Sequence, residues 1–289
     1  MYTRLTLGNG LRGPLLTLRI PTSKEYRKVG MKPRLFAVAV LLCAGLTLSA
    51  QQYKSLTGVS LFKVAPLQVS AFVEKGKAFV PVLDKLLDAG LVTAYGIDVD
   101  MLCVPGENNV AFWYDTPNFA TMQKAEDAIE EFQKANPKVM ADLIAMADMT
   151  KHSDHIIGAR VKNKRSVPAG ARVVNDEDQM QVKPERMEEF LGLFDKYDKP
   201  VLDKLLADGV IYWYELDTEV VHTRALGGVT LIVVMPDLGT KDKVRAAFDE
   251  SFVKLPEAER NVLEKLFYDM TDIDKHRDTL STSVVFKSK

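Results

Sequence analysis

Cysteine is almost missing from this chain: only Cys43 and Cys103 occur among its 289 residues. Paired Cys-x-x-Cys motifs are therefore absent, and so are His-Glu-x-x-His and an Asp-rich calcium loop, which excludes the common tightly bound structural metals. Beyond residue 50 there is no Gly-x-Gly-x-x-Gly or other phosphate-cradling loop and no Gly-x-Ser-x-Gly elbow. Those gaps count against nucleotide cofactors and hydrolase chemistry. Neither sign of charge is in excess. Thirty-eight basic residues meet 39 acidic ones, for a net charge of -1, and no basic stripe stands out, so nothing in the composition attracts nucleic acid or an anionic membrane.

What is present is core-forming material: 47% of the residues are hydrophobic and 27% charged, the profile of a globular protein. Residues 1–50 stand apart from it. From Met31 the chain runs through Lys32, Pro33 and Arg34 into an apolar run at 35–48, then small residues Ser49 and Ala50. A basic start, a short apolar centre and a small-residue cleavage position describe a secretory signal peptide, too short to span a bilayer as a helix. We expect Met31 to be the start, cleavage near Ala50, and a periplasmic or secreted protein with no membrane contact after cleavage. Leu42 ahead of Cys43 fits a lipobox poorly. Cleavage leaves Cys103 alone between Leu102 and Val104, where it reads as an apolar filler rather than a reactive thiol.

The heptapeptide Pro-Val-Leu-Asp-Lys-Leu-Leu occurs twice, at 81–87 and 119 residues later at 200–206. The spacing holds outward: Tyr95 with Tyr214, Asp98 with Asp217, Pro117 with Pro236. Asn108 and Asn109 fall on Gly227 and Gly228, residue types suited to a tight hairpin turn. Further on, Asp148-Met149-Thr150 matches Asp269-Met270-Thr271 at 121, which pairs His155 with His276 and predicts two extra residues in the loop at 236–240. The chain thus divides into an N-terminal extension with signal at 1–50, a first repeat at 51–163, a linker at 164–171 and a second repeat at 172–289.

Each repeat reads as strand, helix, strand, strand, helix, strand. Met187, Phe190, Leu193, Phe194, Tyr197 and Val201 recur at helical spacing. Pro81 and Pro200 interrupt that helix at matching places, so a bend is expected in both. Gly90 and Gly209 close it, and a strand hairpin follows. The order is the split βαβ, or ferredoxin-like, unit, giving an α+β fold of two tandem βαββαβ repeats packed sheet to sheet. Element order and duplication together resemble the dimeric alpha/beta barrel superfamily, here as an intrachain pseudo-dimer. The resemblance implies ligands held between a sheet and its helices or inside the barrel. It also implies a choice among cofactor-independent monooxygenases, decyclising enzymes, haem-binding enzymes and stress-response proteins.

Candidate functional residues are few. His155 and His276 are candidates for acid/base catalysis or haem ligation; the competing reading is that each caps the preceding helix. The second hairpin is polar and aromatic, with Trp213, Glu215 and Asp217 on one strand face, Tyr214 on the other, and His222 beyond. Their counterparts Ala94 and Gly96 are small, and Trp113 faces Ile232 across the duplication, so a single pocket in a pseudo-symmetric barrel is expected. Packing alone is the simpler account of those aromatics. The leading expectation is an exported protein that binds a small, partly apolar molecule through Trp113, Trp213, Tyr214, Glu215, Asp217 and His222, with no bound metal. One alternative is a haem-dependent or cofactor-independent oxidoreductase using His155 or His276; the other is an envelope interaction module. Fused repeats favour a monomer, with a homo-oligomer open.

Overall fold

The computed structural model describes residues 53–289 apart from 103, 105, 169 and 222–226. The expected signal segment, Cys43, Cys103 and His222 lie outside the described residues.

The first repeat comprises β1 (Leu56–Phe62), α1 (Val69–Gly76), α2 (Val80–Asp88), β2 (Ala94–Asp100), β3 (Val110–Thr116), α3 (Phe119–Ala135), α4 (Pro137–Met146) and β4 (Ser153–Lys164). The second repeats the series as β5 (Val173–Gln181), α5 (Met187–Leu193), α6 (Lys199–Ala207), β6 (Trp213–Glu219), β7 (Gly228–Met235), α7 (Thr240–Val253), α8 (Glu257–Met270) and β8 (Arg277–Ser288). The predicted helix breaks are present but differ in kind. A 3-10 turn, Lys77–Phe79, separates α1 from α2, whereas a π turn, Phe194–Asp198, separates α5 from α6. Pro81 and Pro200 then sit in the first turn of the second helix, where a missing N–H is tolerated. Gly90 and Gly209 leave the helices at φ 70° and 75°, the left-handed step that glycine takes without steric penalty.

All eight strands close into one antiparallel barrel in the order β1-β3-β2-β8-β5-β7-β6-β4. Within each repeat the order is ferredoxin-like. The repeats meet along two seams, β2 with β8 and β4 with β6. Strand alternation sorts the side chains: Tyr214, Leu216, Val229, Val233 and Met235 face the helices and pack with Phe190, Phe194 and Leu202. The residues between them, among them Trp213, Glu215, Asp217, Ile232 and Val234, line the barrel interior.

Isolated bridges fix the repeat register. Val64 pairs with Ala147 and Val182 with Thr271, so the equivalent spacing there is 124, not 121. Since Pro137 and Pro256 are 119 apart, the extra residues lie in the last helix, with 14 residues in α8 against 10 in α4. The expected insertion at 236–240 is thereby corrected. A helix can lengthen along its own axis without disturbing the sheet it covers. The structural counterpart of His276 is His152, each directly ahead of its last strand. His155 pairs with Val59 inside β4, in the place that Thr279 holds opposite Glu177.

Candidate functional site: the barrel interior and the sheet–helix cavities

Inside the barrel lies a cavity of about 250 Å³. Trp113, Trp213 and Phe286 form an edge-to-face trio there, with centroids 5.7 to 6.3 Å apart. Trp113 occupies space that only Gly96 leaves: a Cβ on Gly96 would come within 2.7 Å of the indole. The indole donates from Nε1 to Asp98 Oδ2 at 2.7 Å. Lys162 crosses from β4 to hold Asp115 at 2.7 Å and Glu215 at 2.8 Å, its Nζ 4.2 Å from the Trp213 ring centre. Burial alone would lower the Lys162 pKa, but Glu215 and Asp115 hold it above its ordinary value.

For the interior carboxyls burial prevails. Burial pushes Asp98 up to about 6 against hydrogen bonds that favour its ionised form. Burial, reinforced by the nearby charges of Asp98 and Asp100, pushes Glu177 up to about 8. Glu215 is raised by burial despite Lys162. Asp217 is raised well above the carboxylate range by burial and the neighbouring Glu215; it is 1% exposed and neither carboxyl oxygen has a hydrogen-bond partner. His155 reaches the same space, with Nε2 3.0 Å from Ser153 Oγ and Nδ1 3.8 Å from Glu219.

A second cavity, about 520 Å³, lies between the first-repeat sheet and its helices, walled by Phe62, Phe79, Phe112 and Tyr114. Its polar groups include His152, Asp154, His155, Ser60, Gln133 and the hydrogen-bonded pair Tyr114–Glu126. His152 stacks on Phe62 at 4.5 Å. Its Nδ1 is 3.0 Å from the Leu61 carbonyl and its Nε2 3.2 Å from Asp154; Asp154 in turn accepts from Ser60 Oγ at 2.6 Å. A carbonyl can only accept, so Nδ1 carries a proton and Nε2 is the nitrogen that can take up or release one. The matching second-repeat cavity, about 660 Å³, contains no histidine or cysteine among its described lining residues.

Five sequence candidates therefore converge in the barrel interior: Trp113, Trp213, Glu215, Asp217 and His155. Tyr214 does not join them. It is fully buried on the helix side, its hydroxyl bonded to Asp203 and Asn163. His276 lines none of these three cavities; it binds Asp178 at 2.8 Å near the surface. With Asp278 these two form the one set among the described residues whose potential ligand atoms lie within 4.8 Å of one another. The sequence reading passed over Glu177, Lys162 and the His152–Asp154 pair. Alternation in β5 was the available signal, because Asn175, Glu177 and Gln179 recur at a period of two.

Haem is the cofactor that the resemblance implied for His155 or His276, and these residues do not fit it as arranged. An axial ligand must present a ring nitrogen to the cavity. Nε2 of His152 faces Asp154 and Nε2 of His155 faces Ser153.

No family model and no curated protein matches the chain. A candidate monooxygenase from Fusobacterium nucleatum superposes over 82% of this chain and 95% of its own, with a TM-score of 0.56 at 12% identity. An anthrone oxidase-like protein aligns over 81% of this chain and 93% of its own, at 0.48 and 12%. A heme-binding protein from Thermus thermophilus aligns over 81% and 92%, at 0.46 and 11%. Strand order, the doubled βαββαβ unit and the first of these likenesses establish the fold as that of the dimeric alpha/beta barrels, with one chain supplying both halves.

Proposed function

We propose that the protein is an oxidoreductase acting without haem on a small, largely apolar carbon acid held in the first-repeat sheet–helix cavity. The observation that carries this reading is the His152–Asp154 pair on an aromatic-walled space of about 520 Å³, a size suited to one small ligand. The Asp154 carboxylate, which lines the cavity and is held by His152 Nε2 at 3.2 Å and Ser60 Oγ at 2.6 Å, takes the proton from a carbon next to a carbonyl or phenolic ring. His152, its Nδ1 proton held by the Leu61 carbonyl, orients that carboxylate through Nε2. The carbanion is the electron donor and dioxygen the oxidant, so that a CH₂ and O₂ give C=O and H₂O. The fold-level likeness to a candidate monooxygenase agrees with this chemistry but does not carry it.

Dioxygen uptake by the purified protein, measured with a panel of β-diketones and phenolic carbon acids, tests the proposal. Turnover with at least one of them is expected, falling roughly 100-fold or more in His152→Ala and little in His276→Ala. Uptake that is unaffected by His152→Ala sinks the assignment, and a Soret band on haem addition that is lost in the same variant would replace it with the haem reading. We also propose export, supported by the pattern at 31–50; the N-terminal sequence of protein recovered from its host should begin at or near Gln51. Among the described residues no helix is long and apolar enough to cross a membrane.

A further inference from the structure

The barrel interior carries a second inference, independent of the oxidoreductase reading. Six carboxyl groups face or border it: Asp98, Asp115, Glu177, Glu215, Asp217 and Glu219. The cationic or titratable groups facing them are Lys162, Lys275, His155 and Lys164, whose Nζ is 5.4 Å from the Trp213 ring centre and donates to the Lys289 carbonyl at 2.5 Å. Lys162 is committed to Asp115 and Glu215, and Lys275 pairs outward with Asp272 at 3.0 Å. Asp217, fully buried on the inner face of β6, retains two oxygens that nothing in the chain donates to. A buried carboxyl left without a donor is destabilising, and sites that tolerate such a group are commonly sites that bind something.

The cavity contains its own example of the missing partner. At one end the Lys162 ammonium rests on the face of Trp213 between two carboxylates. An alkylammonium over an indole, neutralised by acids, is a favourable arrangement when shielded from water. Asp217 lies four residues along the same strand from Trp213, about 13 Å away at strand rise. Glu177 lies two strands over, level with Glu215 across Ile232. Among the described residues neither Asp217 nor Glu177 has an ammonium of its own. Metal ions fit the interior poorly, because its carboxyls do not converge: the one convergent set among the described residues is the surface group Asp178, His276 and Asp278.

We propose that the barrel interior binds a small organic cation, a primary alkylamine or alkyl diamine, whose ammonium group is received by Asp217 and Glu177 and whose carbon chain lies along Ile232 toward the Trp113–Trp213–Phe286 trio. The volume of about 250 Å³ admits a short aliphatic chain and excludes a bulky one.

Calorimetric titration of the full chain with 1,4-diaminobutane tests this, with 1,4-butanediol as the neutral analogue of similar shape and MgCl₂ as the point-charge control. Saturable binding of the diamine is expected, without binding of the diol. Asp217→Asn keeps the shape of the side chain and should weaken the diamine about tenfold to a hundredfold, the range for loss of one charge-assisted hydrogen bond. Glu177→Gln should weaken it as well. Thermal melts of both variants confirm that any loss occurs in folded protein. Equal affinity in Asp217→Asn, equal binding of the diol, binding of magnesium in place of the diamine, or no heat with any of the three would each overturn the proposal. His152→Ala should leave diamine binding unchanged, so the failure of one functional reading is separable from the failure of the other.

Discussion

Glu177 shows at the scale of one residue how the barrel interior sets its own stability. Its folded-state pKa stands at about 8, raised first by burial and then by the charges of Asp98 and Asp100, whereas an unfolded glutamate titrates near ~4.3. Between those values the folded protein holds a proton that the unfolded chain has released. Stability contributed by that proton is present below the unfolded pKa and is lost as pH rises through the folded one. Wild-type protein should therefore lose stability steadily from pH 5 to pH 9. Glu177→Gln, which is neutral throughout, should flatten that slope in denaturant titrations at successive pH values; parallel slopes for the two proteins would show that Glu177 ionises without penalty. Asp98, raised to about 6, adds a smaller loss of the same sign at lower pH.

Individual elements separate what the sequence could reveal from what it could not. The paired hairpins were legible, but the tight turn expected at Asn108-Asn109 is not there: residues 101–109 join β2 to β3 and neither asparagine takes a positive φ. Asn109 instead donates to and accepts from the Val64 backbone at 2.9 Å, and in the second repeat the Gly227 carbonyl accepts from Val182 N at 2.8 Å. Gly227 sits at φ 96°, and a Cβ there would lie 1.9 Å from the Val182 carbonyl. Gly227→Ala should accordingly cost more than the ~1–2 kcal/mol of the left-handed backbone alone. Gly90→Ala, at φ 70° with open space around it, should cost only that amount. Denaturant midpoints of the two variants check the difference. The strand alternation that puts Trp213, Glu215 and Asp217 together was legible for the same reason, since a period of two dictates the face. By contrast, the equivalence of His152 with His276 was hidden. Residues 148–150 and 269–271 match by identity while the extra turn of α8 shifts the chain between them. An insertion inside a helix leaves no turn residues to mark it, and only the bridge of Ala147 to Val64 reveals the register.

At the scale of the molecule, duplication removes a problem that a single repeat would have. Each four-stranded sheet has two edges, β2 and β4 in one copy and β6 and β8 in the other, and the seams β2–β8 and β4–β6 consume all four. Unpaired edges invite association, so neither repeat is expected to remain a folded monomer on its own. The seams are also complementary rather than self-matching. Lys162 of the first repeat holds Glu215 of the second, Lys287 reaches back to Asp84 at 2.7 Å, and Trp113 meets Trp213 and Phe286. A homodimer of either repeat would lack these pairs: the position of Trp213 in the first copy is Ala94, and that of Trp113 in the second is Ile232. Co-expression of residues 53–164 and 172–289 as separate chains should therefore give a one-to-one heterodimer, readable by native mass spectrometry. Lys162→Ala should shift it toward free halves, because Glu215 would be left buried without its cation. A mixture of homodimers would mean that backbone pairing alone, and not the divergence of the two copies, decides which edges meet.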